Sequence, residues 1–202
     1  MKAIVLATNN KGKIREFAQL LKPLGLEVKP LSDYPEIGEI VEDGKTFLDN
    51  ALIKARTVSA KTGLVAVADD SGLEVDHLNG APGVYSARFA GDGHDDHANN
   101  DKLLHELKGV PDEKRTARYR CVMAAVAPNG EEIHTEGSYE GRIAYEYKGE
   151  GGFGYDVIFI DPELDKHVAE ISAEVKHSRS HRGKAIRRML EIWPDFWAKA
   201  TK

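Results

Sequence analysis

Residues 116–139 leave little choice of local fold. Thr116 to Ala127 is a long extended-type run, Pro128-Asn129-Gly130 is a tight-turn triplet, and Glu132 to Tyr139 is a second extended run. Two such runs joined by so short a turn read as a β-hairpin. Ahead of it, strands alternate with helices. Lys2 to Ala7 is a short buried strand rich in Ile, Val and Leu, interrupted by Thr8, Asn9 and Asn10. From Lys13, the apolar residues Ile14, Phe17, Leu20, Leu21 and Leu24 fall at helical spacing, with Pro23 and Gly25 as stops. Leu26 to Leu31 is the next strand, Asp33 to Gly44 an acidic loop, and Thr46 to Lys61 a helix with Phe47, Ala51, Ala55 and Val58 on one side. Leu64 to Ala68 is an unbroken apolar strand ended by Asp69-Asp70-Ser71-Gly72, and Leu73 to Val75 restarts an extended segment. Gly80 to Gly93 is a loop, His97 to Leu107 a helix and Val157 to Ile160 a strand. The final helix runs from about His181 to Ile192, before Pro194. The pattern is a mixed α/β fold around a central elongated sheet.

A chain of 202 residues suits one domain, 1–202, with or without a small lobe. Its net charge of −5 argues against broad binding to a nucleic-acid backbone, although a small anion needs only a few cations in the right place. No apolar run approaches the roughly 20 residues of a membrane span. The run Ala3 to Ala7 is too short for a signal-peptide core, so a cytoplasmic location is expected. The single Cys121 lies in the apolar run CVMAAVA, where a buried thiol is a commoner use than catalysis.

Four stretches have the residue types for chemistry. ATNNKGKI, Ala7 to Ile14, comes close to a phosphate-binding loop, but Ala7 replaces the first Gly and Ile14 the metal-binding hydroxyl. A strand feeding a helix through a polar turn offers free N–H groups and the positive end of the helix dipole, and Lys11 and Lys13 add charge. The same residues serve equally as a capped helix with solvated lysines. Asp69-Asp70 follows a buried strand, the usual place for a ligand in an α/β sheet. Adjacent carboxylates repel, which suits a cation or a proton between them, and Mg²⁺ prefers carboxylate oxygens with retained waters. A plain turn is the alternative. GEGGFGYDVIF, Gly149 to Phe159, sets exposed-looking Phe153 and Tyr155 among glycines, where a ring has room to stack on a base; a turn into a strand fits as well. KHSRSHRGKAIRR, Lys176 to Arg188, is an anion or base-edge site or a solvated helix start. GDGHDDH, Gly91 to His97, carries His94 and His97 but nothing apolar around them, and reads as an acidic loop rather than a zinc site. No G-x-S-x-G nucleophile elbow occurs.

Taken in order, ATNNKGKIREF, EDGKTFLDNALIKA, ADDSGLEVDHLNGAPGVYSARFAG, GEGGFGYDVIF and SHRGKA resemble the inosine triphosphate pyrophosphatase family over nearly the whole chain. The resemblance implies an elongated α/β sheet with two lobes and a cleft between them, and a homodimer. It implies hydrolysis of non-standard purine nucleoside triphosphates such as ITP, dITP and XTP to the monophosphate and pyrophosphate. Thr8, Asn9, Asn10, Lys11, Gly12 and Lys13 would hold the triphosphate. Glu42 and Asp70 would bind Mg²⁺ with Asp69 as helper, and Asp70 would take the proton from water. Ser71 would touch substrate. Phe153, Gly154, Tyr155 and Asp156 would form part of the base pocket. Lys176, His181 and Arg182 would contact the nucleotide, the last two near the 6-oxo edge of the base. Departures from the family pattern are small: Asp49 for Glu, Val157 for Pro, and a more basic HSRS before HRG. The alternatives are a pyrophosphatase for other modified or ordinary nucleotides, and a non-catalytic nucleotide-binding module.

Overall fold

The structure, a computed structural model of the chain, describes residues 2–202. Its strands form one seven-stranded sheet in the hydrogen-bonded order β2-β1-β3-β4-β5-β6-β7. Here β1 is Ala3–Leu6, β2 Glu27–Pro30, β3 Val65–Val75, β4 Thr116–Val126, β5 Glu132–Ile143, β6 Phe159–Asp161 and β7 Lys166–His167. β1 pairs in parallel with β2 and β3, while β6 pairs antiparallel with β5 and β7. The five main helices are α1 Lys11–Leu20, α2 Phe47–Thr62, α3 Asp96–Glu106, α4 Ala173–Arg179 and α5 His181–Ala200. No described helix is long and apolar enough to cross a membrane.

The chain divides into two compact units. The first is Met1–Asp70, Cys121–Gly137 and Arg182–Lys202; the second is Ser71–Arg120 and Ser138–His181. The first unit has a core on each face of its strands. Ile4, Leu6, Val65, Val67, Cys121 and Met123 pack with Phe17 and Leu21 of α1 and Ala185, Ile186 and Met189 of α5. Val5, Ala66, Ala68, Val122 and Ala124 pack with Ala51, Ala55 and Val58 of α2. Strand side chains alternate between faces, so the odd members of β3 meet α1 and α5 and the even members meet α2. The core of the second unit gathers Leu73, Leu103, Leu107, Tyr139, Ile158 and Phe159. Arg115 is buried within that unit, its guanidinium donating to the carbonyls of Leu107, Ile143 and Ala144 at 2.7–2.8 Å.

The hairpin forms as expected, closed by Gly130 N–H to the Ala127 carbonyl and Ala127 N–H to the Glu131 carbonyl. Three expectations change. Asp69-Asp70-Ser71-Gly72 is not a turn: β3 runs straight through it for 11 residues, because sheet pairing overrides local turn propensity. The last helix does not stop before Pro194 but continues to Ala200. There Trp193 and Phe196 are buried, with rings 5.3 Å apart, and tertiary packing offsets the lost backbone bond. The strand expected at Val157 begins two residues later, at Phe159. A short helix, α4, which the apolar spacing did not mark, runs into the basic stretch and ends at Arg179.

Candidate active site

The first unit carries the residues proposed for phosphate and cation. Asn10 caps α1, its Oδ1 accepting from Lys13 N–H at 3.1 Å, while Thr8 Oγ1 accepts from Asn10 N–H at 3.1 Å. The turn is therefore a true cap. It also leaves Lys11 and Lys13, with no acidic residue, in the first helical turn. Cations are unfavourable there and anions favourable. Asn9 and Lys11 are exposed, and Gly12 is buried against the fold.

β3 divides its two carboxylates. Asp69 follows Val65 and Val67 onto the face of α1 and α5, where Lys13 Nζ lies 3.0 Å from its Oδ2 and Arg182 Nε 3.7 Å. Burial pushes the Asp69 carboxyl up, but Lys13, Arg182 and Lys54 outweigh it and hold it well below the usual carboxylate range. Asp70 follows Ala66 and Ala68 onto the face of α2, where its Oδ2 accepts from Asn50 Nδ2 at 3.1 Å. Burial raises the Asp70 carboxyl, and Lys54, Lys13 and the Asn50 hydrogen bond only partly offset it. Sequence adjacency suggested two carboxylates sharing one cation. The pleat instead gives an ion-paired Asp69 and a separate Asp70 with a raised proton affinity.

Lys54 is the residue that sequence reasoning missed here. It sits one helical turn after Asn50 on α2, a spacing that places both on one face. Its Nζ is 2.7 Å from Glu42 Oε1 and 2.6 Å from the Asp69 carbonyl oxygen. Burial lowers the Lys54 pKa, but Asp69, Glu42 and Asp70 raise it further, so the ammonium stays charged. Glu42, itself exposed, thus faces a place that already favours a cation. Among the described residues, no three His, Cys, Asp or Glu side chains gather into a metal-ligating group. Mg²⁺ seldom needs one: it binds through one or two carboxylates and completes its shell with waters and substrate phosphates. The oxygen-only pair Glu42 and Asp70 fits that preference. Arg182 is buried on the other face, ion-paired with Glu16 of α1 and 5.9 Å from the Phe17 ring. Cys121 is buried 3.9 Å from Asp69, its thiol pushed up to about 12 by burial, and takes no part as a nucleophile.

The second unit carries the residues proposed for the base, apart from Arg182, which belongs to the first. Asp156 is their hub: its Oδ1 accepts from Tyr119 Oη at 3.0 Å, and its Oδ2 from Phe153 N–H at 3.1 Å and Lys176 Nζ at 2.8 Å. The Lys176 ammonium stands 4.6 Å from the Phe153 ring centroid, a cation–π contact. Gly152 has φ +70°, and a Cβ there would fall 2.1 Å from Asp156 Oδ2, so this turn requires glycine. Gly154 is gripped by α3, its N–H donating to Asp96 Oδ2 at 2.8 Å and its carbonyl accepting from Asn100 Nδ2 at 2.9 Å. Phe153 is half-buried, but Tyr155 is buried, with its Oη donating to the Ser86 carbonyl at 2.6 Å. Tyr155 therefore shapes the loop from below rather than presenting its ring. His181 is buried and stacked on Tyr119, with centroids 4.7 Å apart and planes 10° apart. Ser71 is partly buried in β3. His94 is exposed, and His97 pairs with Asp101 at 3.1 Å and stacks on Tyr147.

A model of the Ham1 family matches residues 4–192. The chain belongs to the Ham1 family. Among relatives, a dITP/XTP pyrophosphatase of Nitratidesulfovibrio vulgaris is 56% identical over 200 residues, covering 96% of this chain and 97% of the relative. One from Desulforamulus reducens is 59% identical over 190 residues, covering 94% of each. Among solved structures, a HAM1 protein from Coxiella burnetii superposes with a TM-score of 0.88 at 39% identity, covering 96% of this chain and all of that one. The Staphylococcus aureus Ham1 protein gives 0.86 at 40% identity, covering 96% and 99%. The family's mixed α/β fold is the fold seen here.

Proposed function

We propose that this Ham1 family member hydrolyses non-standard purine nucleoside triphosphates, dITP, ITP and XTP, to the nucleoside monophosphate and pyrophosphate. The observation that carries the reading is the division between neighbouring carboxylates within β3. One carboxylate, Asp69, orients Lys13 beside a helix start suited to an anion, and the other, Asp70, is turned to the opposite face, where it is held by Asn50 and burial raises its proton affinity. Relatives named dITP/XTP pyrophosphatase, aligned over more than nine-tenths of the chain, support it.

In this reading Thr8, Asn9, Asn10, Lys11, Gly12 and Lys13 hold the triphosphate through backbone N–H groups and two ammonium groups. Lys13, fixed by Asp69, stabilises the charge that builds on the departing pyrophosphate. Glu42 and Asp70 would hold Mg²⁺, and Asp69 would help through its carboxylate, which fixes Lys13, and its carbonyl, which accepts from Lys54. Bound there, Mg²⁺ would neutralise phosphate charge and polarise the attacking water. Asp70 accepts the proton of that water as its oxygen bonds to the α-phosphorus and the bond to the β-phosphate oxygen breaks. Ser71 touches substrate. Phe153 stacks on the base, Gly154, Tyr155 and Asp156 set its position, and Lys176 contacts the nucleotide. His181 and Arg182 stand near the 6-oxo edge; Glu16 orients Arg182. A donor there pairs with a 6-oxo purine and is left unpaired by the 6-amino group of adenine, and unpaired polar groups discriminate strongly. On the family resemblance we add a homodimer that works in the cytoplasm on free nucleotides, not on nucleic acid or membrane.

The test is pyrophosphate release from ITP, dITP, XTP, GTP, ATP and dUTP, each with and without Mg²⁺. The reading expects Mg²⁺-dependent turnover of the first three far above the rest. Turnover led by dUTP or ATP, or none at all, overturns it.

A further inference from the structure

We propose that Asn50 is a positioning residue that ties the loop carrying Glu42 to the carboxylate of Asp70, holding the two proposed cation ligands as one assembly. The inference rests on the reading of Glu42 and Asp70 as Mg²⁺ ligands. Asn50 is 4% exposed and lies on the first turn of α2. Its amide works in both directions. Oδ1 accepts from Gly44 N–H at 2.8 Å, and Nδ2 donates to Asp70 Oδ2 at 3.1 Å. No other side chain of that length both donates and accepts through a rigid planar group.

Gly44 is fitted to this link. A Cβ on Gly44 would lie 2.6 Å from Asn50 Oδ1 and 2.5 Å from Asp49 Cβ, so only glycine brings the loop this close. The next two backbone N–H groups, of Lys45 and Thr46, donate to Asp49 Oδ2 at 3.1 and 3.0 Å. Three successive loop amides are therefore bound to the start of α2, two residues beyond Glu42. Of these anchors, only Asn50 continues to a proposed ligand. Residues one step removed from a metal commonly set ligand orientation and affinity.

The competing account is that Asn50 merely satisfies two buried polar groups. Asn50→Ala and Gly44→Ala separate the two accounts, because they cut the same link from opposite ends. Ala at position 50 keeps helix propensity and leaves the Thr46–Asp49 capping box intact. For both variants and their double, Mn²⁺ affinity is measured by electron paramagnetic resonance, with and without a non-hydrolysable ITP analogue. Melting temperature and the kcat and KM for ITP are measured alongside. Each single substitution is expected to weaken Mn²⁺ binding by about 10-fold or more, the usual range for such a partner. It should also lower kcat while leaving KM for ITP near its wild-type value. The double should be no worse than the worse single, since one link is lost once. Wild-type Mn²⁺ affinity and kcat in both singles, whatever their melting temperatures, overturn the proposal, and so do losses that add in the double. If the wild type releases no pyrophosphate from ITP, the functional reading fails, while the Mn²⁺ comparison still decides the role of Asn50. If the wild type binds no Mn²⁺, the ligand assignment and this proposal fall together.

Discussion

At the residue scale, Asp70 is tested most directly by its amide. Asp70→Asn keeps an oxygen to which Asn50 can donate but cannot take a proton from water. Turnover of ITP should fall by about 10²–10⁴, the usual worth of a positioned base. Affinity for a non-hydrolysable analogue should hold. Single-turnover rates close to wild type would remove Asp70 from the proton-accepting role. Asp161 offers a pH test away from the site. It accepts from Tyr139 Oη at 2.6 Å and is bridged by Arg179. Burial pushes its carboxyl up, but Arg179 and Tyr139 outweigh burial and hold it below the ordinary value of 3.8. A carboxyl whose folded pKa is depressed contributes stability above its unfolded pKa, and that stability is lost as pH falls through the folded value. Urea midpoints of wild type and Asp161→Asn should therefore differ at pH 7, begin to converge below about pH 4, where the unfolded carboxylate protonates, and meet only once pH falls below the lower folded value. A gap that persists in acid would mean that packing, not charge, holds this site.

At the scale of elements, α5 carries an internal conflict. Pro194 has no N–H to give the helix, and proline in a helix interior costs about 3 kcal/mol relative to alanine. Trp193, Phe196 and Trp197 hold the helix together through that defect: Trp193 stacks on Trp197 at 5.7 Å. Pro194→Ala should raise the thermal midpoint, and each kcal/mol recovered is worth roughly 2–4 °C in a chain of this size. A lower midpoint would show that the proline packs better than its backbone cost suggests. The glycine loop shows the opposite economy. Gly152 and Gly154 both have positive φ, so this turn uses conformations that other residues avoid, and Asp156, Asp96 and Asn100 hold it in place. Phe153 is thereby presented by a rigid loop on fixed supports.

At the scale of the molecule, the assembly is open to direct measurement. Sedimentation equilibrium should give twice the monomer mass of 22.3 kDa if the proposed homodimer forms; a single-chain mass across the concentration range would remove it. Much of the architecture was legible beforehand because its signals are local. The hairpin lies in its turn residues, α1 and α2 in apolar spacing, and the α1 start in Thr8, Asn10 and Lys13. The five ordered motifs identified the family that the family model and the relatives bear out. Tertiary structure decided what no local signal holds. It ran β3 through a turn-like Asp-Asp-Ser-Gly because neighbouring strands supplied the hydrogen bonds, and so turned Asp69 and Asp70 to opposite faces. It brought Lys54 to Glu42, and Asn50 to Gly44 and Asp70, by folding α2 against the even-numbered side of that strand. It buried Tyr155 and carried α5 past Pro194 through packing among residues distant in sequence. Residue types and spacing determine which groups are present and which elements bear them. Which carboxylate meets which ammonium depends on the pleat and on long-range packing, and only the folded chain sets those.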